Sequence, residues 1–496
     1  MTALNYYGIR DIGPGQTASI ALAAFIFAVI IRHLLFDPLA KIPGPWYTKW
    51  TNVVFKTKSI QGVNPIYVDK LHEKYGPVVR VGPSEVDVAD ITAAKKIHRV
   101  KADFVKTGFY LGVGYRKENL VSTQDVDFHR RHRKLLSQPM SETSLKAMEP
   151  QIEEKVRLAI DRMGEEMKAR KAVDVYKWWM FMTTDIIGQL TFGESFYALE
   201  NGKADTYIKD LRKAGIISSI ASQLTLLMPI IYHIPLPGFR GSLKMLADRL
   251  TVHASAKLQR LKDEMENKDE ERPLLFSKLA RGIIIDGESM TKTEMLNEAE
   301  TYIIAGSDTT SNTLTFVTWA LCEQPKLKDK LIGELETLPP NFTSEDLKFL
   351  PFLNNCITEG LRRFPVVPGG LPRYVPKEGA DIAGYWLPGG STVMTQTWSL
   401  HRNPEVFPNP DQYDPSRWDN PTKEMKDSMM PFGGGSRICI GMHLAYIELR
   451  MGLAYFFRAF PHSRVSSLEG MSHNDMKQAL YFIASPQNHR CLIEAA

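Results

Sequence analysis

The stretch Phe432-Gly-Gly-Gly-Ser-Arg-Ile-Cys-Ile-Gly441 sets one cysteine in a glycine-rich turn that runs into an apolar helical pattern. Gly433, Gly434 and Gly435 allow positive φ and a close approach of the backbone to a flat ligand. Cys439 stands just before the helix, where unpaired N–H groups and the positive dipole end favour a thiolate over a thiol. Arg437 adds a nearby cation, and Phe432 can cover one side of the sulfur. A shielded, hydrogen-bonded thiolate suits an axial ligand of haem iron. For a lone cysteine, a turn around a buried structural thiol is the competing reading.

Other stretches carry chemistry of the same kind. Thr291-Lys-Thr-Glu294 is a capping box, so a helix starts near 292. Its pattern runs to about Glu323, before Pro325, which is long enough to cross a domain. In its middle lies Ala305-Gly306-Ser307-Asp308-Thr309-Thr310. Gly306 costs about 1 kcal/mol in a helix interior, and a threonine hydroxyl there can bond the i−4 carbonyl. Either two helices cross at small residues, or the helix opens a groove in which Asp308 and Thr309 deliver protons. Glu359-Gly-Leu-Arg362 puts an acid and a base on one helix face. Phe128-His-Arg-Arg-His-Arg-Lys-Leu-Leu135 is a run of basic groups, usually a solvated face or a patch for an anionic partner.

These stretches together resemble the cytochrome P450 superfamily. Phe432, Gly435, Arg437, Cys439 and Gly441 match its haem loop, Phe-x-x-Gly-x-Arg-x-Cys-x-Gly. Residues 305–310 match its oxygen groove. Glu359 and Arg362, with Arg417 of Tyr413-Asp-Pro-Ser-Arg417-Trp418, match its buried charge network. The resemblance implies that Cys439 ligates iron and that Asp308 and Thr309 act in catalysis. It places Arg133 in the arginine slot of a Trp-x-x-x-Arg motif that holds a haem propionate, with His129 in the tryptophan slot. Arg373, after Gly369-Gly-Leu-Pro, would grip a propionate along with Arg133 and Arg437, since a planar guanidinium suits a carboxylate. Gly370-Leu-Pro-Arg-Tyr-Val-Pro and His401-Arg-Asn-Pro resemble microsomal members from filamentous fungi that tailor polyketides, terpenoids or alkaloids.

The whole chain has 496 residues, 44% hydrophobic and 24% charged, with a net charge of +5 that is too weak and dispersed to argue for nucleic acid. Its four cysteines, Cys322, Cys356, Cys439 and Cys491, form no zinc or redox spacing and fit a reducing compartment. Residues 18–31 carry no charge, which predicts a membrane anchor if Arg32 and His33 snorkel. Lys41, Lys49, Lys56 and Lys58 follow, placing the body in the cytosol. Ile42-Pro-Gly-Pro-Trp46 stiffens the exit. Residues 77–91 read as a β-hairpin and 103–123 as a long loop. Residues 148–200 look helical. Residues 216–236 read as a core helix plus loop, or as a pocket roof touching the membrane. Residues 262–272 read as an exposed linker. Leu444, Ile447, Met451 and Ala454 recur at helical spacing and read as core.

The expected architecture is mainly α with a smaller β portion: a transmembrane helix in residues 1–37, then one haem domain over 38–496. The expected cofactor is haem b, with NADPH acting indirectly through NADPH–cytochrome P450 reductase, and cytochrome b5 is a second candidate donor. The expected activity is insertion of one oxygen atom into an apolar small molecule at the endoplasmic reticulum membrane, the chain crossing it once. A haem-thiolate isomerase or dehydratase would share Cys439 without needing a reductase, but such members tend to lose the acid–alcohol pair. A non-enzymatic haem- or lipid-binding membrane protein would need neither that pair nor a donor face.

Overall fold

The computed structural model describes residues 14–101, 103–113, 117–204, 206–224, 233, 243–267, 273–280 and 288–495. It begins with α1 (Pro14–Phe36), whose Ile20, Leu22, Phe25, Phe27, Leu35 and Phe36 are exposed. Among the described residues no helix is long and apolar enough to cross a membrane. The expected transmembrane helix is therefore not borne out. The apolar run of residues 18–31 spans 14 residues, about 21 Å at a 1.5 Å rise, against a hydrocarbon core of about 30 Å. Arg10 lies outside the described residues.

The hairpin expected over 77–91 forms: β1 (Val78–Gly82) pairs antiparallel with β2 (Glu85–Val88), Val78 opposite Val88. Its valines are buried on both faces. Two later strands complete this sheet, β3 (Arg373–Tyr374) and β4 (Thr392–Met394). The order is β1-β2-β4-β3, with β4 parallel to β2 and β3 antiparallel to β4. Arg373 is thereby fixed opposite Val393 on a short strand whose neighbour is buried.

The helical layer carries the rest of the site. Its members are α2 (Val126–Ser137), α3 (Glu149–Arg170), α4 (Val175–Phe192), α5 (Lys292–Cys322), α6 (Pro351–Arg363) and α7 (Met442–Ala459). Asp125 caps α2 by accepting from the Asp127 and Phe128 N–H groups. The capping box of Thr291 and Glu294 starts α5, which runs 31 residues. The α7 stripe of Leu444, Ile447, Met451 and Ala454 is buried as expected. It meets α4 and α5 where Gly452 touches Leu314 and where Trp179 and Phe456 lie 5.9 Å apart. Threonine-183 of α4 donates to the Ser307 carbonyl of α5 at 2.8 Å, tying the two helices at the middle of α5.

Three loop readings meet different outcomes. The 103–123 loop contains a short helix, Phe109–Val113. Residues 216–223 end the helix Thr206–Gln223, while 225–232 and 234–236 lie outside the described residues. The charged linker is helical through Asn267, the end of Leu243–Asn267. Lysine and glutamate are good helix formers, so a charged run extends an existing helix as readily as it breaks one.

The buried charge network forms as expected. Glu359 and Arg362 are fully buried and pair at 2.8 Å, and Arg417 reaches Glu359 at 3.3 Å. The Trp418 indole and the Asp414 N–H donate to the same carboxylate at 3.0 Å. Arg362 also donates to the carbonyls of His401, Pro410 and Gln412.

Candidate active site

The Cys439 loop is shaped by two glycines. Gly433 has φ +72° and Gly435 φ +58°, whereas Gly434 is extended. A Cβ on Gly435 would lie 1.9 Å from the His98 carbonyl oxygen, so only glycine fits. The Cys439 N–H donates to the Phe432 carbonyl at 2.8 Å, folding the loop back on itself. The Phe432 ring lies 5.3 Å from Tyr446. Three residues past the cysteine, α7 begins.

Cys439 opens its surface to an internal cavity while protein surrounds it. Burial pushes its thiol up, and the Gly441 N–H and Arg133 act against that. The expected helper, Arg437, is not the cation that acts on the sulfur. It faces Arg373, Tyr110 and Asp125 instead. A bound metal ion removes the thiol proton outright.

The cavity brings together His129 and Arg133 of α2, Arg373 of β3, the Cys439 loop, and Tyr302, Gly306, Thr309 and Thr310 of α5. Lys106, His98 and Tyr110 also line it. No motif marks these three in the sequence; the only signal is a lysine and a tyrosine in a long glycine-bearing loop. Arg133, Arg373, Arg437 and Lys106 make no ion pair with any described residue. Arg133 donates to the Ile438 carbonyl at 2.6 Å, Arg373 to the Tyr110 hydroxyl at 2.6 Å, Arg437 to the Thr123 carbonyl at 3.3 Å and Lys106 to the Val121 carbonyl at 2.5 Å. Burial, then Arg373, pushes Arg437 down to about 10. Burial, then Arg373 and Arg437, pushes Lys106 well below its ordinary range. Burial first and Arg437 second hold His129 neutral, at about 3. This is a cationic cradle lacking its anions. A flat macrocycle with paired carboxylates over a cysteine thiolate fits it, and haem is such a group.

On α5 both readings of the 305–310 stretch hold at once. A Cβ on Gly306 would stand 2.9 Å from Ile187 of α4, so small size is needed for the helix contact. The Thr309 hydroxyl donates to the Ala305 carbonyl at 2.8 Å and lines the cavity. Asp308 lies outside the cavity wall, one residue from it. A carboxyl that sequence reasoning missed, Glu448 of α7, is in the wall. Burial raises it to about 8, against a hydrogen bond from Thr310. Its signal was an acid four residues after Leu444 on an otherwise apolar stripe.

On α2, Arg130 is exposed and pairs with Asp127, whereas Arg131 is tied to Glu294 and the Ser289 carbonyl. Arg131 therefore joins α2 to α5 and is not a free member of a basic face.

The model of the family Cytochrome P450 matches residues 42–489. The chain belongs to the cytochrome P450 family. It is 44% identical to the cytochrome P450 monooxygenase tazI of Aspergillus terreus over 97% of this chain and 98% of that one. It is 38% identical to the cytochrome P450 monooxygenase orf2 of Aspergillus niger over 95% and 96% of the two chains. With the cytochrome P450 monooxygenase aflV of Aspergillus parasiticus it shares 33% identity over 95% and 94%. This cytochrome P450 is a monooxygenase whose cofactor is haem, with iron held by a cysteine thiolate and electrons supplied by a reductase. When bound, the haem supplies oxygen activation. The chain's own groups offer the thiolate at Cys439, the cationic cradle, and hydroxyls at Thr309 and Thr310.

Proposed function

We propose that this cytochrome P450 inserts one oxygen atom from O2 into an apolar small molecule, a tailoring step on a polyketide, terpenoid or alkaloid in fungal secondary metabolism. The observation that carries this is one cavity shared by Cys439 and the Thr309 hydroxyl, with Val366, Leu371, Ile187 and Phe482 in its wall. Cys439 ligates the iron. Arg133, Arg373 and Arg437 grip the propionates, with His129 donating an N–H. Thr309 would hold a proton at its hydroxyl in the cavity wall, and Asp308, one residue away, would supply that proton. A second cavity shares Val367 and Phe482 with the first, which supports entry of substrate from that side. The exposed apolar residues of α1 support attachment at the endoplasmic reticulum membrane, with the remaining chain cytosolic. Arg130 and Lys134 are the candidate contact for NADPH–cytochrome P450 reductase or cytochrome b5.

The test starts from a deletion strain, whose accumulated metabolite is given to the purified protein with reductase, NADPH and isotopically labelled O2. One labelled oxygen in the product is the expected result; a product without label, or turnover without reductase, refutes the proposal. Thr309→Ala should keep consuming NADPH while product per NADPH falls about tenfold and peroxide rises.

A further inference from the structure

Along the contact of α2 with α5, four side chains lead from the surface to the cavity. Glu294, Glu298 and Tyr302 recur every fourth residue and so share one face of α5. Glu294 is 19% exposed and pairs with Arg131, which is 27% exposed. His132 of α2 is fully buried between two carboxylates. Its Nε2 lies 3.5 Å from Glu294 Oε1 and 3.3 Å from the Arg131 guanidinium, and its Nδ1 lies 2.6 Å from Glu298 Oε1. A guanidinium only donates, so Nε2 accepts and Nδ1 carries its hydrogen toward Glu298.

Glu298 is fully buried, and its Oε1 also accepts the Leu120 N–H at 2.8 Å. Its Oε2 has no hydrogen-bond partner among the described residues. The Tyr302 hydroxyl, one turn further on, has none either, and Tyr302 lines the cavity together with Arg133 and Thr309. A buried polar group left without a partner loses its hydration uncompensated. One turn apart on the same helix face, the two are placed for a rotation or one bridging water to join them. Lys106, Arg133 and His129 also face this line, with Cys439 in the same cavity wall.

We propose that Glu294, His132, Glu298 and Tyr302 form a proton conduit between solvent and the cavity, separate from Asp308. The proposal rests on the haem-monooxygenase reading of that cavity. A proton from the surface reaches His132 Nε2, and the Nδ1 hydrogen moves to Glu298 Oε1. The hydrogen on Glu298 Oε2 passes to the Tyr302 oxygen, and the phenol gives up its own hydrogen inside the cavity. Each group ends with as many hydrogens as it began with, and nothing is oxidised or reduced. Burial holds Glu298 above the ordinary carboxylate range, toward the neutral acid this sequence needs. A clamp between two helices would explain the His132–Glu298 pair, but it would not explain the unpartnered oxygens that follow it.

Hydrogen cyanide is the probe, since it enters as a neutral acid and binds ferric haem as the anion, leaving a proton to be carried out. In the full-length holoprotein, Tyr302→Phe and Glu298→Gln should each slow cyanide association about tenfold or more. Because the groups act in series, the double variant should be no slower than either single one. Imidazole, which reaches the iron without losing a proton, should bind all variants at the wild-type rate. An unchanged cyanide rate in Tyr302→Phe, multiplying effects in the double variant, or equal slowing of imidazole overturns the conduit. Tyr302→Phe decides alone should Glu298→Gln fail to fold, because it removes only an unpartnered hydroxyl. A wild-type protein without the reduced carbon-monoxide band characteristic of the family would sink the haem reading instead, and the band's presence in each variant keeps the two failures apart.

Discussion

Two clusters of buried and half-buried arginines in this chain are balanced in opposite ways. Beside α6, Glu359 receives Arg362, Arg417, the Trp418 indole and the Asp414 N–H, and Arg362 has carbonyl partners for its remaining donors. Around the cavity, Arg133, Arg373, Arg437 and Lys106 hydrogen-bond to carbonyls and a hydroxyl and make no ion pair with any described residue. The first cluster is complete in the folded chain. The second fits carboxylates brought from outside the chain. Burial alone does not separate a structural charge from a ligand-binding one; the local balance of charge does.

The largest effect should come from unbalancing the complete cluster. Glu359→Gln keeps the side chain's shape but strands Arg362 without its anion, which should cost about 3–5 kcal/mol in denaturant unfolding, with or without haem. A loss below about 1 kcal/mol would show that the network is not a structural unit. Arg437→Met should do the reverse. It removes a cation that makes no ion pair with any described residue, so haem-free stability should fall little, while haem dissociation should rise about 10- to 100-fold. Equal losses in both states would erase the distinction between the clusters.

A pH-dependent effect concerns Glu448. Its folded value of about 8 stands above the model-peptide value of 4.5. The folded state holds the proton more tightly, so stability is full below pH 4.5 and declines as pH rises toward 8. The slope should approach about 1.4 kcal/mol per pH unit at most. Glu448→Gln should flatten that decline, and an unchanged profile would place the titration elsewhere.

How far the sequence is readable follows from the range of each interaction. The Cys439 loop, the Thr291 capping box and the Glu359–Arg362 pair are local, with spacing that states their geometry. The sequence also places Arg133 and Arg373 in the site through family resemblance, and both line the cavity. What it does not state is which cation acts on which group. Arg437 is two residues from Cys439, yet Arg133, brought from α2, is the cation that acts on the sulfur. Lys106, Tyr110 and His98 reach the cavity through tertiary packing that no spacing encodes. The α1 reading went too far because it let Arg32 and His33 extend the 14-residue apolar run of 18–31.

The most direct test of the haem-thiolate site is the reduced, carbon-monoxide-bound spectrum of the wild type and of Cys439→Ala, at matched haem content. The wild type should show the red-shifted band characteristic of the family, and the variant should lose it while the cationic cradle still retains some haem. A variant that keeps the band would show that Cys439 is not the iron ligand.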